Sequence, residues 1–287
     1  MVTAVLDDRA GRRPPDPKFN DVLPSLAVTV KASDNQNVRF SVSQTLARPE
    51  YRELAPLQFR DVLGGDNYLG NADLVRSLIR NADIRWEWFP SRSEVFSVSL
   101  FGKQFDNPIE RIYLGTSGTR IVSYQNAEKA TNVGVELEAR TGLGKLASAL
   151  ENVSLFTNAT FMQSEITLRQ GNASVTNGNR AMVGQAPYMV NAGVTWNSLS
   201  GATSATLLYN TVGPRIIDAG VVPLPDVKEQ ARNVVDFSLR FPVAGSFSGR
   251  FDAKNLLDAQ YRILQGPVTR ESYYVGRTVS LGLNWQP

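Results

Sequence analysis

The stretch Gly142-Leu143-Gly144-Lys145 is as near as this sequence comes to a chemical motif. A phosphate-cradling loop needs the run G-x-x-x-x-G-K-[ST] or a third glycine in G-x-G-x-x-G, so that backbone amides converge on the anion. Neither spacing is completed, and the stretch falls where a turn is expected. Histidine and cysteine are both absent. That removes Ser-His-Asp triads, histidine bases, thiolate chemistry, disulfides and nearly every common zinc or iron site, so no catalytic residue, metal or cofactor is expected and the chain reads as a non-enzyme. The 30 basic and 27 acidic residues give a formal charge of +3 and are scattered along the chain. Nucleic-acid binding would need a clustered basic stripe, so none is expected. What remains is recognition chemistry: charges that recur two residues apart, as in Arg85 and Glu87 or Glu136, Glu138 and Arg140.

A spacing of two is the period of a strand, whose side chains point alternately to opposite faces. The closing stretch YYVGRTVSLGLNWQP shows the other half of the pattern: Val275, Val279, Leu281, Leu283 and Trp285 alternate with Gly276, Thr278, Ser280, Gly282 and Asn284. The same split sets Val38, Phe40 and Val42 against Arg39, Ser41 and Ser43, and Ile84, Trp86 and Trp88 against Arg85 and Glu87. It sets Val133, Val135, Leu137 and Ala139 against Asn132, Gly134, Glu136, Glu138 and Arg140, and Val235, Phe237, Leu239 and Phe241 against Asp236, Ser238 and Arg240. Strands are expected near residues 24–32, 36–47, 80–90, 94–106, 130–140, 151–167, 185–197, 203–217, 231–241, 247–260 and 273–286, about eleven in all. Most reach the 9 to 11 or so residues that a tilted strand needs to cross a bilayer, beyond the mean of about 5 to 6 in soluble sheets. No run of about 18 apolar residues makes a membrane helix.

Short and long connections alternate. Residues 32–36, 90–94, 198–202 and 242–246 are short, rich in Ser, Gly, Pro, Asn and Asp; residues 48–79, 107–129, 168–184, 218–230 and 261–272 are long, and the alternation is strict if the intermediate 141–151 counts as a short-side connection. Up-and-down barrels of the bacterial outer membrane are built this way, with brief turns on the inner side and longer loops outside. The four tryptophans, Trp86, Trp88, Trp196 and Trp285, fall at the short-turn end with Phe96, Phe241 and Phe247, as an aromatic girdle would. The expected fold is therefore all-β, a transmembrane antiparallel up-and-down β-barrel. A soluble sandwich with charged outer faces also satisfies the alternation, though not the sidedness of the loops. Arg277 interrupts the greasy face about 20 Å above Trp285, where its stem can snorkel to the interface.

The runs FNDVLPSLAVTV and NVRFSVSQTLARPEYREL at 19–54, IRWEWFPSRSEVFSVSLFGKQFDNPIERIYL at 84–114, NVGVELEAR at 132–140 and FDAKNLLDAQYR at 251–262 resemble the C-terminal barrel of TonB-dependent outer-membrane receptors. The resemblance implies about half of a 22-stranded barrel, with residues 24–287 as its C-terminal part and 1–23 as the remnant of an extracellular loop. The plug domain of that family has no counterpart here and no secretory signal precedes the first strand, so a fragment or a truncated gene is expected. A complete member would sit in the outer membrane of a Gram-negative bacterium. It would take up a scarce nutrient such as a ferric siderophore, vitamin or oligosaccharide, driven by the TonB–ExbB–ExbD complex acting through the plug. Its partners would be outer-membrane lipid and the transported small molecule. Ligand-facing positions implied by the resemblance are Tyr51, Asp66, Asn67, Tyr68, Tyr113, Tyr124, Asn172, Asn177 and Asn179 in the long loops; each also fits ordinary turn chemistry. A passive porin-like barrel, and a soluble sugar-binding β-domain, remain as alternatives.

Overall fold

A computed structural model describes residues 20–60, 65–116, 119–169 and 175–285. Its strands are β1 (Ser25–Ser33), β2 (Gln36–Ala47), β3 (Gln58–Arg60), β4 (Asn67–Leu69), β5 (Ser77–Trp88), β6 (Val95–Asp106), β7 (Ile109–Thr116), β8 (Thr119–Asn126), β9 (Lys129–Gly142) and β10 (Val153–Thr167). They continue with β11 (Tyr188–Asn197), β12 (Ser204–Val212), β13 (Arg215–Gly220), β14 (Val227–Glu229), β15 (Arg232–Ala244), β16 (Phe247–Lys254), β17 (Gln260–Gln265), β18 (Val268–Tyr274) and β19 (Thr278–Trp285). One four-residue helix, α1 (Tyr51–Leu54), is started by a capping box between Glu50 and Glu53.

Eleven long strands form one antiparallel sheet in the order β1-β2-β5-β6-β9-β10-β11-β12-β15-β16-β19. Every neighbour in this sheet is the next long strand along the chain, so the topology is up-and-down. Among the described residues, the first and last strands each pair on one side only. Register carries the alternation from strand to strand. Val28 lies opposite Phe40, Phe40 opposite Ile84, Ile84 opposite Leu100 and Leu100 opposite Val135; further round, Val194 lies opposite Leu207, Leu207 opposite Phe237, and Phe251 opposite Leu281. The result is one apolar face that runs without a break across the sheet. A slip of one residue anywhere would exchange the faces.

The other face is polar and internally bonded. From β2 through β5 and across β6 to β9 a charge ladder runs from Arg39 to Glu87 (2.8 Å), from Glu87 to Arg85 (2.9 Å) and from Arg85 to Glu138 (2.6 Å). On β10, β11 and β12 the amides take over: Asn191 donates to Asn158 at 2.8 Å and Asn210 to Asn191 at 2.6 Å. The alternation lapses at Phe156 and Leu208, apolar residues on this face. They close over Gly193, where an added Cβ would lie 2.3 Å from the Phe156 ring.

All long connections leave one end of the sheet and all short ones the other, as expected. The long ones are more ordered than the sequence suggests. Four of the five carry hairpins, which assemble into a second, eight-stranded sheet in the order β18-β17-β14-β13-β7-β8-β4-β3. Its seams include parallel joins between β7 and β13 and between β4 and β8. The remaining connection, 168–187, contributes, among its described residues, a bridge between Val175 and Val221. The expected strand 203–217 is broken at residues 213–214, 247–260 ends at Lys254, and 273–286 is split by the irregular 275–277, with Gly276 at φ +87°. Arg277 therefore lies before its strand rather than on it, and its Nε donates to the Leu256 carbonyl at 2.9 Å.

The hydrophobic core belongs to the loop sheet. Of the fourteen buried hydrophobic residues among those described, only Ala130, Ile166 and Ala253 lie in the eleven long strands. Tyr113, Val122, Val227 and Ile263 form one cluster and Ile112, Val175 and Ala219 another, all drawn from the long connections. Among the described residues no second layer covers the apolar face of the large sheet: Leu281 is 76% exposed, Leu100 54% and Val133 55%.

Candidate functional site

The loop sheet brings five of the nominated residues into one region. Asp66 and Asn67 begin the β4 edge, Tyr68 sits on β4, and Tyr113 and Tyr124 face each other's strands on β7 and β8. Three of them are occupied internally. Asn67 accepts from Arg60 Nε at 3.0 Å, Tyr68 stacks on Phe59 with ring centroids 5.4 Å apart, and Tyr113 is buried in the core. Tyr51 is 93% exposed at the start of α1. Asn177 donates to Asp226 at 2.6 Å, and Asn179 is exposed. Asn172 lies outside the described residues.

Two arginines that the sequence did not single out hold this region together. Arg111 Nε stands 2.8 Å from Asp218 Oδ1, and its guanidinium lies 5.6 Å from the Tyr68 ring centroid. Arg270 reaches Asp66 at 3.0 Å and lies over Tyr113 at 4.6 Å. Burial drives the Asp218 carboxyl above its ordinary range, opposed by the Arg111 charge; burial likewise raises Glu53 and the Tyr124 phenol. The alternation of Arg111 and Tyr113 within ERIYL was the one local signal available, since residues two apart on a strand share a face. Their partners lie in other loops, beyond the reach of any spacing rule.

Below this region, on the polar face near the top of β10, lies a cleft of about 400 Å³, lined by Met162, Ser164, Arg180, Arg215, Asp226 and Lys228 among others. Arg180 is fully engaged at its terminal nitrogens by Glu110, at 3.1 and 2.7 Å, with both side chains buried. Arg215 pairs with Glu229 at 2.8 Å. The volume falls within the range of small-ligand pockets, about 300 to 1,000 Å³. Among the described residues no cluster of three or more acidic side chains is arranged to hold a metal ion.

At the opposite end, the tryptophans stand on the apolar face beside the short turns. Trp88 ends β5 and stacks on Phe96 at 5.4 Å, Trp285 ends β19 and stacks on Phe247 at 6.5 Å, Trp196 is the last residue but one of β11, and Trp86 donates its indole N–H to Gln36 at 3.0 Å.

Solved structures share this fold. A variant of the ferric enterobactin receptor of Pseudomonas aeruginosa, in complex with enterobactin, superposes with a TM-score of 0.61 at 17% identity, over 91% of this chain and 40% of the receptor. The siderophore receptor PirA of Acinetobacter baumannii gives 0.62 at 14% identity over 92% and 40%, and the ferric yersiniabactin uptake receptor FyuA of Yersinia pestis 0.59 at 19% over 91% and 36%. The chain thus spans about two fifths of the length of the receptors it resembles. A search of curated proteins finds no match to it. The family description "TonB dependent receptor-like, beta-barrel" fits residues 4–256, most of the sequence. The chain belongs to the TonB-dependent receptor β-barrel family.

Proposed function

We propose that this chain serves as the C-terminal barrel segment of an outer-membrane receptor that takes up a scarce, bulky solute under TonB control. The observation that carries the reading is the uncovered apolar face, registered across eleven strands and backed by a charged one. A soluble sheet would have to hide that face under a second layer, because contiguous apolar patches beyond a few hundred Å² are rare on soluble proteins. Lipid needs no such layer, and the tryptophans beside the short turns suit the interface of the bilayer. Residues 20–23 lie on the loop side, where Asp21 receives Arg76 Nε at 2.7 Å, in keeping with 1–23 as part of an extracellular loop.

The similarity to receptors described for ferric enterobactin and ferric yersiniabactin favours a ferric siderophore as the cargo over a vitamin or oligosaccharide. Coupling to TonB–ExbB–ExbD would run through a plug domain, and the lumen charges and the cleft beneath the loop sheet would meet plug and solute. Nothing in this scheme breaks a bond in the cargo. Iron-starved cells producing the receptor that carries this chain should accumulate a radiolabelled iron chelate only when TonB is functional. Accumulation that ignores TonB would favour the passive porin-like alternative.

A further inference from the structure

Along the loop sheet the hairpins follow one another as the last long connection, the fourth, the second and the first. In a flat sheet of that order the first and last hairpins would be the furthest apart. Instead Arg270, on β18 at one end, reaches Asp66, the residue before β4 at the other, with Nη2 to Oδ1 at 3.0 Å. The same guanidinium donates from Nη1 to Gln265 Oε1 at 2.7 Å and lies 4.6 Å from the Tyr113 ring centroid. Gln265 in turn donates to the Pro225 carbonyl at 2.9 Å. One side chain, 11% exposed, thereby joins the first, second and last long connections directly and the fourth through one hydrogen bond.

The other seams of this ring are backbone ladders: β17 to β14, β13 to β7 and β8 to β4. Between the two end hairpins, the described residues show no backbone pairing; the contact is made by side chains. A ring opens at its weakest seam. A planar guanidinium forked between a carboxylate and an amide, and stacked on an aromatic ring, is also a directional contact that lysine cannot reproduce.

We propose that Arg270 and Asp66 are the latch of a lid: the long loops close as one body over the polar face and open by parting at this pair. The lid shields the end of the lumen at which the cleft lies, so what it admits rests on the uptake reading, whereas the latch itself does not. Hydrogen exchange of the receptor that carries this chain, in lipid nanodiscs, tests it. In R270Q and in D66N, amides of the end hairpins β3–β4 and β17–β18 should exchange at least fivefold faster while β9 and β10 stay protected, and the double variant should be no worse than either single one. The reversed pair, Asp66→Arg with Arg270→Asp, should recover at least half of the lost protection. Unchanged exchange, additive losses in the double variant, or a general loss of protection in β9 and β10 that the reversed pair does not restore overturns the latch. TonB-independent uptake, by contrast, would overturn the transport reading and leave this coupling untouched.

Discussion

Ser280 and Leu281 are neighbours in the chain but face opposite surroundings. Leu281 stands opposite Phe251 on the uncovered apolar face, whereas Ser280 stands opposite Asp252 on the polar one. In lipid, Leu281→Lys should cost about 2 to 4 kcal/mol and Ser280→Lys far less, read from denaturant unfolding of the assembled protein. Equal losses would contradict the face assignment. A second residue-scale expectation concerns Glu110, which is buried, accepts both terminal nitrogens of Arg180, and also accepts the Val183 amide at 3.2 Å. Glu110→Gln leaves a buried guanidinium without its counter-charge, so roughly 3 to 5 kcal/mol should be lost in the same assay. A loss under about 1 kcal/mol would mean that water reaches the pair. The face of most strand residues was legible in the sequence because side chains alternate along a strand; Phe156 and Leu208, apolar residues on the polar face, were not. The partner of each loop residue was not: Asp66 and Arg270 lie 204 positions apart, and turn-forming residue types look the same whether they meet a ligand or one another.

At the scale of elements, the eleven long strands could be read because length, alternation and turn residues agree in each. The eight loop strands escaped for a physical reason. Several have three residues, too few to show a period, and their faces are set by inter-loop packing on Tyr113, Val122 and Val227 rather than by a core-against-solvent contrast. The short-turn end offers a pH test. Lys145 donates to Glu94 at 2.5 Å and Thr141 at 2.7 Å, and these bonds hold the Glu94 carboxyl down to about 2. Its unfolded value is near 4.3, so the stabilisation is fully present above about pH 5 and is lost as pH falls toward 2. Melting temperatures in lipid at pH 6 and pH 3 should show a smaller drop for Glu94→Gln than for the parent protein. Identical drops would remove Glu94 from the acid response.

For the whole molecule, direction decides how the sheet can be completed. Strands β1 and β19 both run from the long-connection end to the short-turn end, and among the described residues each keeps one unpaired edge. In hydrocarbon every unpaired backbone group costs several kcal/mol, so open edges cannot face lipid. Antiparallel closure needs further strands that begin and end running the other way. A second copy in the same orientation supplies the wrong direction at both seams. The chain alone in detergent should therefore show no compact, heat-sensitive monomer when unboiled and boiled samples are compared on a gel, whereas a receptor with the remaining strands should. A heat-sensitive monomer of the chain alone would mean that parallel closure is accessible.

That the registered apolar face meets lipid can be measured directly, because these 287 residues hold no cysteine and each engineered cysteine is then the only labelling site within them. Spin labels placed singly at Phe40, Ile84, Leu100, Leu207 and Leu281, and at their chain neighbours Ser41, Arg85, Ser99, Thr206 and Ser280, can be probed in the lipid-embedded receptor with oxygen, which concentrates in the bilayer, and with a polar nickel chelate, which stays in water. High oxygen and low nickel accessibility is expected at the first five and the reverse, or burial from both, at the second five, a period of two that repeats in every strand tested. Nickel accessibility at the first set equal to that at the second would contradict it and return the sheet to water.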